Sequence, residues 1–539
     1  MADHRWWQAG VIYQIYPRSF ADANGDGVGD LAGVTQHMDH LRDLGVDAVW
    51  LSPFYVSPMV DFGYDISDHT AVDPLFGDLA DFDRLVAAAH ERDIRVLVDF
   101  VPNHTSEQHP WFLDARSGRT SPRRDWYLWA DPAPDGGPPN NWRSVFGGPA
   151  WTLDPTSGQY YYHAYLTQQP DLNWRNPGVR AAQHDAMRFW LDRGVDGFRL
   201  DACRQLVKDD LLRDNPPNPD HTPDQPPYDA LLPIYTTDRP ETLDVLVGLR
   251  KVLDERRPDG DGVLLAEMYL PVARLPHYYG AHGEGIHLPS NMHLIRQDYR
   301  AEEIGALVAE YEAALPAHAW PNWVLGNHDR RRVASRVGAA RARVLAMLLL
   351  TLRGTPILYY GDEIGMTDVP VPDHLAQDPF ARQVPGIGVG RDPERSPMQW
   401  SPAAHGGFCP PGATPWLPLA ADADRVNVAV QGTETDSVLA LHRSLLALRR
   451  REPALSVGDH EPVTARDGVL AYRRVHEGRA LLVVLNLGEQ GRSVPVPPTD
   501  LGGSILIDTK LARTGEAVGG TLALGACEGV LVGSDAVVG

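Results

Sequence analysis

Short apolar runs alternate along the chain with stretches in which apolar residues recur every three to four positions. The runs are VIYQIYP (11–17), DAVWLSP (47–53), RVLVDFVPNH (95–104), GFRLDA (197–202), VLLAEMY (263–269), WVLGNHD (323–329) and TPILYYGDEIG (355–365). They are rich in Val, Ile and Leu with little polar alternation, as strands covered on both faces require. A further, weaker strand is expected at 291–294. Between them, DLADFDRLVAAAHERD (78–93) places Leu79, Phe82, Leu85 and Val86 on one helical face. VRAAQHDAMRFWLDRG (179–194) reads as a helix stopped by Gly194. About eight strand–helix units in succession predict an α/β fold, a closed (β/α)8 TIM barrel.

Two segments break the rhythm. Residues 105–175 are rich in Trp, Tyr, Pro and Gly and show no long helical pattern, which predicts a small irregular domain inserted after the third strand. Beyond about 455 the pattern changes to short β runs, VLAYRRV, ALLVVLNL, SVPVP, SILI and GVLVG, which predict a C-terminal antiparallel β-sandwich. The expected organisation is therefore barrel over 1–104, insertion over 105–175, barrel again over 176–455, and a β domain over 456–539. The Pro-rich stretch 215–227 reads as a loop.

Lys and Arg total 49 against 71 Asp and Glu, a net charge of −22. Such a chain lacks the basic surface that nucleic acids or anionic membranes need, and suits a small neutral substrate. Three cysteines, Cys203, Cys409 and Cys527, are too few for a disulfide framework and have no metal-ligand spacing. The opening MADHRWWQAG has no apolar signal core, and no apolar run is long enough to span a bilayer. A cytoplasmic protein, monomer or homodimer, is expected.

In (β/α)8 barrels the C-terminal strand ends build the active site. Here those ends carry Asp99, Asn103 and His104, then Arg199 and Asp201, then Glu267, then Asn327, His328 and Asp329. Carboxylates in this number, with no serine or thiol nucleophile beside them, suit glycoside hydrolysis, where one carboxylate attacks the anomeric carbon and a second protonates the leaving oxygen. Taken singly, each residue also has a plain reading: an ion pair for Arg199 and Asp201, a helix cap for Glu267, a surface loop for Asp329.

The stretches DFVPNH, GFRLDA, LLAEMY and LGNHD, in this order and spacing, resemble glycoside hydrolase family thirteen, the α-amylase family. QIYPRSF, GYDISD, QPDLNW and GRDPERSPMQW resemble its oligo-1,6-glucosidase and α-glucosidase branch. The resemblance implies Asp201 as nucleophile, Glu267 as general acid/base and Asp329 as transition-state stabiliser. It implies that Asp65, His104 and His328 hold the first glucose, Tyr64 stacks on its ring, Arg199 orients Asp201, and Arg391 lies near the same glucose. Phe146, in the aromatic insertion, joins the substrate-binding candidates. Arg199 is expected to keep Asp201 ionised, and Glu267 to sit in an apolar or negative neighbourhood. The family retains anomeric configuration, which implies carboxyls about 5–5.5 Å apart.

DANGDGVGDL (22–31) carries Asp22, Asn24, Asp26, the Val28 carbonyl and Asp30 in the order of the first part of an EF-hand loop, with Gly33 where the bidentate Glu would stand. It resembles the structural calcium loop of the same branch, so a structural Ca²⁺ is expected there; an ion-free polar turn is the alternative. By the same resemblance, Ala202, after the nucleophile, leans toward α-1,4 or broad specificity. The implied activity is release of α-glucose from maltose and short α-glucosides. Glucosyl transfer, or sucrose or trehalose isomerisation, through the same intermediate is the second reading. A catalytically dead binding relative is disfavoured by the intact carboxylates.

Overall fold

Strand β1 (Ile12–Ile15) lies between β2 (Ala48–Leu51) and β8 (Thr355–Tyr359), and every residue of the three is buried. The computed structural model describes residues 4–386 and 390–533; residues 1–3 and 534–539, which the outer boundaries above take in, lie outside the described residues. The remaining barrel strands are β3 (Arg95–Phe100), β4 (Gly197–Leu200), β5 (Val263–Ala266), β6 (Leu288–Pro289) and β7 (Asn322–Val324). The sheet runs β6–β5–β4–β3–β2–β1–β8–β7, all parallel.

β6 and β7 share no ladder. The side chain of Asn322 spans the gap, donating to the Pro289 carbonyl at 2.7 Å and accepting the Asn291 N–H at 2.9 Å. The strand expected at 291–294 thus falls earlier and is only two residues long. Pro289 has no N–H to extend a ladder, and a side-chain amide closes the barrel in its place.

The strands alternate after all, but between two apolar environments. Ile12, Ala48, Trp50, Leu97, Val263, Leu265, Val324 and Ile357 form the barrel interior. Tyr13, Ile15, Val49, Leu51, Val96, Val98, Phe198 and Leu264 pack outward against the helices. The main helices of the ring are Leu79–His90, Pro177–Asp192, Glu241–Arg256, Ala301–Ala314 and Ala339–Thr351. The first two begin where the sequence supplies caps: Asp78 accepts the Asp81 N–H, and Asn176 accepts the Gly178 N–H ahead of Pro177. Gly197 permits close packing of β4 on β5, since a Cβ there would lie 2.2 Å from the Val263 carbonyl oxygen.

The segment after β3 holds a short α-helix, Pro110–Arg116, a 3-10 turn, Arg124–Trp126, and a three-stranded sheet of Trp129–Ala130, Gln159–Tyr162 and Trp151–Asp154. Its own core is Trp142, Trp151 and Tyr162. Lys208 anchors it to the barrel, paired with Asp171 and donating to Asn103 at 2.9 Å, all three buried.

After the helix Val438–Arg451, five antiparallel strands form a sheet: Asp459–Arg466, Val469–His476, Arg479–Asn486, Glu528–Gly533 and Ser504–Asp508. One face, with Tyr472, Leu481 and Val483, joins the barrel core; the other, with Ala471, Leu482 and Val484, is covered by the ribbon Arg492–Pro495/Thr521–Leu524. Buried Arg449 and Arg474 donate to the carbonyls of Leu350 and Thr351 at the end of Ala339–Thr351, at 3.1 and 2.6 Å. They satisfy helix-end acceptors that burial would otherwise leave unpaired.

Candidate active site

The inward parity that buries Leu97, Gly197 and Val263 continues within the strands to Asp99 and Arg199 and past the strand ends to Asp201 and Glu267. These side chains meet at the barrel mouth around the guanidinium of Arg199. Its Nη1 donates to Asp201 Oδ1 at 2.5 Å and to Asp99 Oδ1 at 3.0 Å, and its Nη2 lies 3.1 Å from Glu267 Oε1. The guanidinium carbon sits 4.9 Å from the Trp50 ring centroid, an added cation–π contact. Backbone bonds seat the two carboxyl-bearing turns: Asp201 N–H donates to Phe100 O at 2.8 Å and Glu267 N–H to Leu200 O at 3.0 Å.

Three carboxyls therefore share one cation. Burial raises Asp201 well above the ordinary carboxylate range; Arg199 opposes this, while Glu267 and Asp99 add to it. Burial also raises Asp99 to about 6 against the pull of Arg199. The expectation that Arg199 keeps Asp201 ionised is corrected: burial and like charge outweigh its pull, so Asp201 and Asp99 hold their protons to higher pH than isolated carboxylates. Nor is the surrounding of Glu267 only apolar or negative, because Arg199 touches it.

Asp329 has the opposite environment. Burial pushes it up, but His328 and the guanidiniums of Arg391, Arg395 and Arg199 more than offset this, and it is held well below the ordinary range. Arg395 Nη2 and Arg391 Nη1 reach Asp329 Oδ1 at 2.9 and 3.2 Å. Burial pushes His328 down to about 3, so it is neutral near pH 7 and the arginines supply the charge. Gln14 Nε2 donates to His328 Nδ1 at 2.7 Å, which leaves Nε2–H to donate to Tyr64 Oη at 2.7 Å; Tyr64 donates onward to Asp99 Oδ2 at 3.0 Å. Tyr64 and His328 also stack, with centroids 5.5 Å apart.

The expected binding residues divide. Tyr64, His328, Arg199 and Arg391 join the constellation just described. Arg391 binds Asp329, Asp61 (2.8 Å) and Asp378 (2.7 Å) together, and its guanidinium lies 5.0 Å from the Phe146 centroid. His104 is buried, with Nε2 3.2 Å from both the Tyr64 carbonyl and Gln169 Nε2. Asp65 does not join. It is fully buried, and its carboxylate accepts the N–H groups of Val60 and Asp61 and the hydroxyl of Ser57, at 2.9–3.0 Å. It braces the loop from behind, and Asp61, four residues earlier, faces Arg391 in its place.

Asp61, Asp378, Arg395 and Gln14 were not among the expected site residues, and Asp99, expected at a strand end, had been given no role. Asp99 opens the DFVPNH motif and Arg395 lies within GRDPERSPMQW, so a signal existed for both. Asp378 lies in a loop with no motif. Gln169 of QPDLNW turns out to link Asp61 and His104, at 3.1 and 3.2 Å.

The acidic loop is braced by its own amides. Asp22 accepts from Gly25 and Gly27, Asn24 from Asp26, Asp26 from Val28, and Asp30 from Ala23, Asn24 and Gly33, at 2.6–3.1 Å. Gly27 has φ +90° and a Cβ there would strike the Thr414 carbonyl at 1.9 Å, so the turn requires glycine. Among the described residues no group of three or more His, Cys, Asp or Glu is set as a metal cage. Nor is any helix there long and apolar enough to cross a membrane.

Comparison with known proteins identifies the family. The family described as "Alpha amylase, catalytic domain" matches residues 14–458. A probable alpha-glucosidase of Rhizobium meliloti (strain 1021) is 41% identical over 508 residues, 92% of each chain. The crystal structure of an alpha-glucosyl transfer enzyme superposes with a TM-score of 0.93 at 42% identity, covering 99% of this chain and 100% of the other. A trehalulose synthase structure superposes at 0.89 with 33% identity, covering 98% of this chain and 100% of the other. The chain belongs to the α-amylase family and is a glycoside hydrolase.

Proposed function

We propose that the protein is a retaining, exo-acting α-glucosidase that releases α-glucose from maltose and short α-glucosides. The observation that carries this reading is the single guanidinium of Arg199 bonded to both Asp201 and Glu267. A bridge of that kind keeps two carboxyls near each other, as the retaining mechanism requires. Asp201 forms a bond to the anomeric carbon as the glycosidic bond breaks, and Glu267 delivers the cluster's proton to the leaving oxygen. Water then attacks from the vacated face, gives its proton to Glu267, and displaces Asp201. Both displacements pass through a cationic, oxocarbenium-like state. Asp329, kept anionic by two arginines, stabilises it electrostatically.

Tyr64, His104, His328, Arg391 and Phe146 form the wall around the first glucose, with Asp61 in the place expected for Asp65. The small Ala202 favours α-1,4 links or broad specificity. The likeness to an alpha-glucosyl transfer enzyme supports a second reading on the same residues, in which an acceptor hydroxyl replaces water. A proton NMR time course with maltose separates them. Early α-glucose supports hydrolysis; new linkages with little free glucose support transfer. Asp201→Asn abolishes either reaction, and a variant with wild-type turnover would refute the mechanism.

We also propose that Asp22, Asn24, Asp26, Asp30 and the Val28 carbonyl take a structural Ca²⁺. Each amide bond in the loop uses one lone pair, and carboxylate oxygens have a second to offer. No catalytic step runs through that ion. The protein is read as cytoplasmic, acting on a small neutral sugar, as monomer or homodimer.

A further inference from the structure

At the N-terminal end of the barrel, opposite the carboxyls, a cavity of about 280 Å³ opens where the chain enters β1, β5 and β6. Arg5, Trp7, Arg250, His287 and His318 line it, and no Asp or Glu does. In a chain where acidic residues outnumber basic ones 71 to 49, such a wall is a local inversion of charge.

Beside Gln8, Tyr279, Ile286 and two glycines, the wall carries several hydrogen-bond donors, of which His318 Nε2 is already bonded to the Gly280 carbonyl at 3.1 Å. His287 is buried, and its Nδ1 accepts the Leu264 N–H at 3.0 Å, so its proton resides on Nε2. Burial pushes His287 well below its usual value, and the charges acting on it, Arg250 and Arg5, are both positive. Trp7, 8% exposed, meets the His287 ring edge-on at 5.0 Å, and its buried Nε1–H has no partner among the described residues. Arg5 spends Nη1 on the Asp259 carbonyl at 2.6 Å; Arg250 spends Nε on Asp254 at 2.8 Å and Nη1 on the Gly285 carbonyl at 3.1 Å. Gly260 lets the β5 turn close on Arg5, since a Cβ there would lie 2.8 Å from its guanidinium.

We propose that this cavity is a binding site for a phosphate group, carried by inorganic phosphate or by a small sugar phosphate, separate from the catalytic centre. Two guanidiniums converging with neutral N–H donors suit a tetrahedral oxyanion, whose oxygens accept several bonds at once. A cation is repelled by the arginines.

The test is titration of the full chain with inorganic phosphate, followed by thermal unfolding and calorimetry, against sodium chloride at equal ionic strength. Phosphate is expected to raise the melting temperature saturably. Arg250→Gln and the exposed Arg5→Gln should each weaken the titration at least tenfold, and Asp201→Asn should leave it intact. Repeating the titration with glucose 6-phosphate identifies the source, the tighter ligand being the natural one. No saturable effect of either ligand in the unmodified protein would overturn the proposal. So would an effect that survives in both arginine variants, or one lost in Asp201→Asn.

Discussion

Asp61 and Asp65 sit four residues apart in one loop, and the structure assigns them opposite duties. In Asp65→Asn one carboxylate oxygen becomes an NH₂ group. Asp65 Oδ2 accepts the Val60 N–H at 3.0 Å, while Oδ1 accepts the Asp61 N–H at 2.9 Å and the Ser57 hydroxyl at 3.0 Å. The amide keeps one acceptor and sets a donor against a donor at the other, in a position with no access to water. A lost hydrogen bond to a charged group with a buried orphan left behind costs about 1.5–3 kcal/mol. Burial raises Asp65 to about 6, so part of that cost is offset by removing a poorly solvated charge, and about 2 kcal/mol is expected. kcat/KM should stay within about a factor of three, because no Asp65 oxygen faces the pocket. In Asp61→Asn, Arg391 retains Asp378 and Asp329, so the fold holds, but the sugar-facing charge is gone. The same 1.5–3 kcal/mol range, now lost from the transition state, gives about a tenfold to hundredfold drop in kcat/KM. Urea unfolding followed by fluorescence reads the first effect, and glucose release from maltose the second. A tenfold loss of kcat/KM in Asp65→Asn at unchanged unfolding midpoint, with Asp61→Asn near wild type, would refute the assignment.

Asp99 supplies a pH test. Its folded pKa of about 6 lies above the unfolded value of about 3.9, so its contribution to stability is full at acid pH and is lost as pH rises through 6. Asp99 also helps to raise Asp201, so Asp99→Asn should move the acid limb of kcat/KM to lower pH; a limb that stays or moves up contradicts this. Lys208→Met leaves Asp171 buried without its cation and should cost about 3–5 kcal/mol in urea unfolding, with partial recovery on adding Asp171→Asn. After exhaustive chelation, added Ca²⁺ should raise the melting temperature, and Asp22→Ala should abolish that rise; equal melting curves with chelator and calcium would remove the ion from the loop.

The barrel and its strand-end carboxyls were legible because both rest on local periodicity. Strand side chains alternate, so once Leu97, Gly197 and Val263 face inward, Asp99, Asp201 and Glu267 must follow on the same side. The caps at Asp78 and Asn176 are bonds between near neighbours, yet the sequence pattern had not singled them out. β6 was harder to place, because two residues carry little pattern and its closure depends on a side chain 33 residues away. Charge distribution in the site was illegible for a similar reason. That Arg391 holds Asp61 across 330 positions, that Asp65 turns inward to its own loop, and that burial outweighs Arg199 at Asp201 are sums over neighbours from many segments. The sequence by itself determined which residues stand at the barrel mouth, since strand parity is a property of the chain. Tertiary structure alone decided which of them face the pocket, which brace it and which retain protons, because partner, burial and field strength depend on distances that no local pattern encodes.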